Sequence, residues 1–312
     1  MPLSVEKRDL TGLTAIVTGG NAGIGYETVR MLSEMGATVT IACRNAEKGQ
    51  AAAEGIEKIT GNKPEVGSID LCSFASVAAF VESFKSKHDR IDILVNNAGF
   101  VSMAKGDEAY TGDGLETDAQ VNHLSQFLLT SQLMPLLKHA AQNKIRDFVP
   151  RVVVVSSDAG KVGKVNTSYW EKQGQDKLPW FFGRYGDTKL AFAIVSKKLA
   201  DIVESDGVLV HMVHPGYVAS DIHAKNDNGL PQFMTKTMGW IMNLTARTAA
   251  QGAMTSVYCA VSVEAEKSTG KYWYSNKIAN YPNSVITNQE AADKFWNDSV
   301  NVLKERGYEI LI

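Results

Sequence analysis

The stretch Thr14-Ala15-Ile16-Val17-Thr18-Gly19-Gly20-Asn21-Ala22-Gly23-Ile24-Gly25 decides how the rest of the chain is read. Thr14–Val17 is a short β-branched run, and the glycine-rich turn after it opens an apolar-periodic segment from Ile24 to Met35. A strand, a glycine turn and a helix in that order form the first unit of a doubly wound dinucleotide-binding fold. Gly19, Gly23 and Gly25 have separate duties there: a tight turn, close approach of backbone to phosphate, and close contact of helix with strand. Asn21 and Ile24 share the loop, and the free N–H groups at the helix start suit a pyrophosphate.

The same alternation continues outward. Strands are expected at Thr38–Ala42, Val66–Ile69, Ile91–Val95, Arg151–Val155 and Val208–Val213. Helices are expected at Ala46–Ile59, Ser73–Lys87, Leu115–Ala141 and Tyr185–Glu204. Continuous apolar runs separated by helices of this length signal buried parallel strands with crossovers on both faces. No repeat or low-complexity linker intervenes. The expectation is an α/β chain forming a single Rossmann-type domain over residues 1–312, with a doubly wound parallel sheet flanked by helices. Its cofactor-binding half spans about 10–150, and its catalytic and substrate-lid half about 151–312.

Two stretches break the rhythm, Gly160–Arg184 and Tyr217–Leu244. They carry Tyr169, Trp170, Trp180, Phe181, Phe182, Tyr217, Phe233 and Trp240, an aromatic load at odds with disorder. Long insertions that act as a substrate lid are the expectation; surface packing or a subunit contact is the plainer alternative.

Composition narrows the function. Hydrophobic residues at 44% and charged ones at 21% provide for a sizeable core. A net charge of -2 gives no basic surface for nucleic acid. The three cysteines, Cys43, Cys72 and Cys259, are far apart and read as thiols of a reducing compartment. The first ten residues are polar and no run of 18 apolar residues occurs, so no transmembrane segment is expected and the cytoplasm is the default location. His211 and His214, three apart on a strand, point to opposite faces, so no metal is assigned to them. His123 reads as a helix-packing residue and Asp158 as a turn former.

The second strand ends Ala42-Cys43-Arg44-Asn45. An NAD site usually offers a carboxylate to the ribose 2′-OH here, whereas Arg44 can fork onto a 2′-phosphate, so NADP(H) is expected. Asp70 and Leu71 follow the third strand, where the carboxylate can meet adenine. Asn97, Ala98 and Gly99 follow the fourth, where small residues let backbone lie against the cofactor.

Tyr185-Gly186-Asp187-Thr188-Lys189 puts a phenol and an ammonium four residues apart on one helix face. Reducing a ketone needs a proton delivered to the developing alkoxide, and a free phenol with pKa about 10 ionises poorly near neutrality. An ammonium at ~4 Å favours phenolate by roughly 4 kcal/mol at an effective dielectric of about 20, or about three pKa units. Ser156 and Ser157 close the fifth strand, and Ser157 is placed to hydrogen-bond the substrate oxygen.

The motifs together resemble the short-chain dehydrogenase/reductase family: Thr-Gly-x-x-x-Gly-Ile-Gly at Thr18–Gly25, Asn-Asn-Ala-Gly at Asn96–Gly99, Ser157, and Tyr-x-x-x-Lys at Tyr185–Lys189. The resemblance covers about Leu10 to Val263. Ala42–Arg44 and Val121–Leu124 are similar to its NADP-dependent retinol dehydrogenase-like branch. It implies a catalytic tetrad of Asn122, Ser157, Tyr185 and Lys189, with Asn122 kinking its helix and holding a water linked to Lys189. It also implies that Tyr185 and Lys189 touch the nicotinamide ribose and that Pro215, Gly216 and Val218 lie beside the nicotinamide. The activity implied is interconversion of a carbonyl and a primary or secondary alcohol, as a ketone or aldehyde reductase, with the aromatic lid pointing to an apolar or aromatic small molecule. A non-catalytic NADP-binding regulator and a dehydratase or epimerase are the alternatives on this fold. Relatives pair through helices matching Leu115–Ala141 and Tyr185–Glu204, so a homodimer is one expectation and a monomer, with the insert blocking that face, the other.

Overall fold

The computed structural model describes residues 3–172, 181–218 and 246–312. The described strands are β1 (Thr14–Thr18), β2 (Thr38–Cys43), β3 (Glu65–Ser68), β4 (Ile93–Asn96), β5 (Arg151–Val155), β6 (Leu209–His214), β7 (Lys271–Tyr274) and β8 (Lys277–Ala279). They form one sheet in the order β3-β2-β1-β4-β5-β6-β7-β8. All neighbours run parallel except β7 and β8. The chain starts in the middle, winds outward through β2 and β3, then crosses back to β4. This reversal at β1/β4 is the switch point where ligands bind such sheets.

The described α-helices are α1 (Gly23–Glu34), α2 (Ala46–Thr60), α3 (Phe74–Lys85), the single turn α4 (Thr117–Ala119), α5 (Ser125–Gln142), α6 (Phe181–Val203), α7 (Ala249–Val261) and α8 (Gln289–Glu305). Alternate strand residues feed two cores, as expected of a sheet covered on both faces. Ile16, Leu94, Val152 and Val154 join Phe74, Phe80, Leu128, Leu190 and Phe295 on one side. Val17, Val95, Val153 and Val155 join Val29, Leu32, Ile56 and Val257 on the other.

The expected helix over Leu115–Ala141 is three pieces. Between α4 and α5 the segment Gln120–Leu124 is π-helical, a wider turn common at functional sites. The β7–β8 hairpin and the helices α7 and α8 lie beyond the last expected strand. Ser275 and Asn276, both at positive φ (53° and 60°), form the two-residue turn of the hairpin.

The aromatic insertions divide. Tyr169 and Trp170 are buried in the core instead of being presented on an outer lid, which corrects the expectation for them. The Trp170 ring lies 5.3 Å from His123 and 5.8 Å from Phe295, and its carbonyl accepts from the Glu116 N–H (2.8 Å). Trp180, Phe233, Trp240 and the side chains of Phe181 and Phe182 lie outside the described residues. Tyr217 stands exposed after β6.

α8 packs across α5 and α6, the helices expected to pair two subunits. Trp296 meets Phe127 at 5.2 Å, and His123 hydrogen-bonds Ser299 Oγ at 2.7 Å. His123 is thus a packing residue. His211 is fully buried and accepts a hydrogen bond from Trp273 Nε1 (3.1 Å). Among the described residues no helix is long and apolar enough to cross a membrane.

Candidate active site

The strand register brings the site together. Thr18 lies opposite Ala42, and Val17 opposite Val95, so the turns after β1, β2 and β4 share one sheet edge. Thr18 Oγ1 accepts from the backbone N–H groups of Asn97 and Ala98 (2.9 Å each), and Asn97 Nδ2 donates to the Thr18 carbonyl (2.8 Å). The glycine turn and the Asn97–Gly99 turn are therefore one unit.

Gly19 and Gly23 have φ of 66° and 54°, conformations that L side chains resist. At Gly25 the constraint is space: a Cβ there would stand 2.3 Å from the Gly19 carbonyl oxygen and 2.5 Å from Asn97 Nδ2. The helix α1 begins at Ala22 with no side-chain cap, so its first N–H groups point outward unsatisfied by the protein's own side chains. Asn21 and Ile24 are half-buried beside them. Arg44 is exposed just past β2 and makes no ion pair among the described residues. Asp70 Oδ1 accepts from the Cys72 N–H (2.9 Å), and Leu71, largely buried, accepts at its carbonyl from Ser125 Oγ (2.7 Å).

The second cluster sits at the ends of β4 and β5. Asn122, inside the π-helical segment, grips Phe100 twice: Oδ1 accepts from its N–H and Nδ2 donates to its carbonyl, both at 2.7 Å. Asn122 Nδ2 also reaches Thr188 Oγ1 (3.3 Å). Lys189 Nζ donates to the Val155 carbonyl (3.0 Å). A Cβ on Gly99 would stand 3.4 Å from Lys189 Nζ and 3.9 Å from Asn122 Oδ1, which puts the three residues together. The Ser157 hydroxyl accepts from the Ala159 N–H (3.2 Å) and lies near enough to the Tyr185 phenol to favour its ionised form, whereas the Ser156 hydroxyl is buried without a partner. Of the two serines, Ser157 is the one that faces Tyr185.

Electrostatics corrects one expectation. Lys189 Nζ lies 5.7 Å from the Tyr185 ring centroid. Burial pushes the Tyr185 phenol up to about 12, against the opposing influence of the nearby Ser157 hydroxyl. Burial likewise pushes Lys189 down to about 8, with Asp118 working the other way. Removing both groups from water penalises both charged forms, and this outweighs the attraction that spacing alone suggested. The phenol therefore keeps its proton across the neutral range.

A third element closes the edge. Gly216 (φ 83°) turns the chain after β6, and a Cβ there would stand 2.7 Å from Arg247 Nη1. Arg247 donates from Nη1 to the Pro215 carbonyl (3.0 Å) and from Nη2 to Ser275 Oγ (2.7 Å). Val218 packs against the site of Gly252 on α7. Asp158 pairs with Lys161 (2.6 Å), and His214, stacked on Tyr274, lies 3.7 Å from it. Sequence reading missed Arg247, for which no motif exists, and the use of Thr18 as a double acceptor, for which its place at the head of the glycine motif was the available signal.

Residues 13–171 match the family described as short chain dehydrogenase. Retinol dehydrogenase 12 of Mus musculus is 36% identical over 295 residues, covering 94% of this chain and 87% of that protein. The chain belongs to the short-chain dehydrogenases. Dehydrogenase/reductase SDR family member 13 of Homo sapiens is 34% identical, covering 93% of this chain and 73% of its own length. Among solved structures, the Pseudomonas aeruginosa RhlG/NADP active-site complex has a TM-score of 0.64 at 27% identity, covering 85% of this chain and 95% of that one. A Mycobacterium Paratuberculosis protein reaches a TM-score of 0.74 at 23% identity, covering 97% and 98%, a likeness of fold. This short-chain dehydrogenase falls in the retinol dehydrogenase-like branch. It is an oxidoreductase of the alcohol/carbonyl pair, from a family that binds a nicotinamide cofactor.

Proposed function

We propose that this short-chain dehydrogenase is an NADP(H)-dependent reductase of ketones or aldehydes on apolar or aromatic small molecules. The observation that carries the reading is the Tyr185 phenol gathered with Ser157, Lys189 and Asn122 at one sheet edge, a phenol that holds its proton near neutrality. A protonated phenol suits the donor's part in a reduction.

The residues fit a dinucleotide. A cradle that a Cβ at Gly25 would fill and an uncapped α1 N-terminus suit a pyrophosphate held by Gly19, Asn21, Gly23, Ile24 and Gly25. Arg44 would take the 2′-phosphate, Asp70 and Leu71 the adenine. Asn97, Ala98, Gly99, Pro215, Gly216 and Val218 would line the nicotinamide half, with Tyr185 and Lys189 on its ribose. When bound, NADP(H) supplies or takes up the hydride. Ser157 orients the substrate oxygen, Tyr185 gives its proton to the developing alkoxide, and Lys189 with Asn122 restores that proton. The NADP in the RhlG complex's title supports this choice of cofactor.

Phe100 (44% exposed) and Tyr217 (46% exposed), both at the carboxyl edge of the sheet, support an apolar substrate, as do the retinol dehydrogenase names of its relatives. The same reading takes residues 1–312 as one domain, since every described strand joins one sheet. Free thiols at Cys43, Cys72 and Cys259 support a reducing compartment such as the cytoplasm. Subunit pairing through α5 and α6 would have to displace α8, which supports a monomer.

The test is a substrate panel with both cofactors. Faster oxidation of NADPH than NADH, with hydrophobic aldehydes or ketones preferred, is the expected result. A preference for NADH, or for small polar alcohols, would refute it.

A further inference from the structure

The proton-transfer groups leave a buried cluster of charge unused. Glu116 and Asp118 are fully buried and Arg184 nearly so. Arg184 immediately precedes Tyr185 on α6. Its Nη1 stands 3.2 Å from Glu116 Oε1, and its Nη2 donates to the carbonyls of Ser102 (2.9 Å) and Ala104 (3.3 Å). Asp118 Oδ1 accepts from the Ser102 N–H (2.7 Å), while its Oδ2 is buried with no partner. Glu116 Oε2 accepts from the Ala119 N–H (2.9 Å).

Two consequences follow from these contacts. Segment 100–104, which continues from Gly99, is held at every second residue: Phe100 by Asn122, Ser102 by Asp118 and Arg184, Ala104 by Arg184. The cluster also holds two carboxyls against one guanidinium, so full ionisation would leave one negative charge uncompensated and out of water. Glu116 Oε1, though it makes no hydrogen bond, lies 3.2 Å from the guanidinium, whereas Asp118 forms no ion pair among the described residues and is the better place for a proton. Burial first, and Glu116 second, push Asp118 up to about 8. The groups that face Asp118 among the described residues are Glu116 on its own segment, Arg184, Tyr185 and Lys189 on α6, and Tyr169 on the loop after β5.

We propose that Glu116, Asp118 and Arg184 are positioning residues for proton transfer at Tyr185: Arg184 ties the start of α6 to segment 100–104, and one proton held by the two carboxyls sets the charge that the phenol feels. The proposal rests on the reductase reading above. With Asp118 protonated the trio is neutral. Once Asp118 ionises the trio carries one negative charge, which opposes phenolate at Tyr185 and favours the ammonium of Lys189. The phenol is thus kept protonated to higher pH than a neutral surround would allow.

The experiment is the pH profile of kcat/KM for reduction, using the full chain, NADPH and the best carbonyl of the panel. Asp118→Asn and Glu116→Gln each remove the one extra charge, so either should lower the apparent pKa of the alkaline limb by about one unit. Two variants guard against one failing to fold. Should both fail, infrared spectra of the wild-type chain serve: a neutral-carboxyl band present near neutrality and lost by about pH 10 supports the proposal, and its absence overturns it. A wild-type enzyme that turns over and depends on Tyr185, with the alkaline limb unmoved in both variants, reduces the trio to packing and overturns the proposal alone. A wild-type chain that reduces no carbonyl overturns the reductase reading with it.

Discussion

Arg44 and Tyr185 show what single residues can and cannot announce. Arg44 occupies the position where an acid would mark an NAD site, and the structure leaves it exposed with no ion pair among the described residues. A guanidinium that forks onto a phosphate contributes about 1.5–3 kcal/mol. Arg44→Ala should therefore weaken NADPH roughly ten- to hundredfold and leave NADH nearly unchanged, as read by fluorescence titration; equal loss for both would remove Arg44 from the 2′-phosphate. Tyr185 was recognisable because four-residue spacing on a helix and a place after β5 are local properties. Its protonation was not, because burial, and after it the charge of Asp118, come from residues far off in sequence. The same applies to the trio, whose members Glu116 and Arg184 come from either side of β5.

Elements built on continuous β-branched runs were readable from the chain, since such runs have few ways to hide except in a doubly covered sheet. Strands β1 to β6 fall where expected, within a few residues. The π-helical turn at Gln120–Leu124 was not readable, because hydrophobic spacing does not separate it from an α-helix of the same length. The short β7–β8 hairpin lacks the Asn-Gly signal, its turn being Ser275-Asn276. Tyr169 and Trp170 were misplaced because aromatic content predicts burial but not what buries it. The glycine turn allows a test at this scale. Gly25→Ala pushes a methyl against the Gly19 carbonyl and should cost about 1–3 kcal/mol and most of the dinucleotide affinity. Gly23→Ala meets no protein atom within 4 Å, so its cost to the fold should be the backbone strain alone, about 1–2 kcal/mol. Thermal melts with and without NADPH distinguish the two, and equal losses would contradict the packing argument.

At the scale of the whole molecule, stability is tied to protons held off buried groups. Burial pushes His123 and His211 down to about 3, far below the ordinary histidine range near 6.5. A group whose native pKa is depressed contributes stability above its unfolded pKa and loses it as pH falls toward the native one. The window here is about pH 6.5 to 3, while the raised pKa of Asp118 acts oppositely between about 8 and 4. His123→Gln removes one such histidine, so its unfolding free energy should fall less steeply on acidification, by about 1.4 kcal/mol per pH unit. Parallel denaturation curves at pH 7 and 5 would refute this. The two-core sheet also explains why the chemistry gathers at one edge: the β1/β4 reversal, the end of β5 and the turn after β6 open there together. The most direct trial of the central assignment is single-turnover oxidation of NADPH by Tyr185→Phe with the best carbonyl substrate. The account predicts that cofactor still binds while hydride transfer slows by at least about a hundredfold; transfer at the wild-type rate would contradict it.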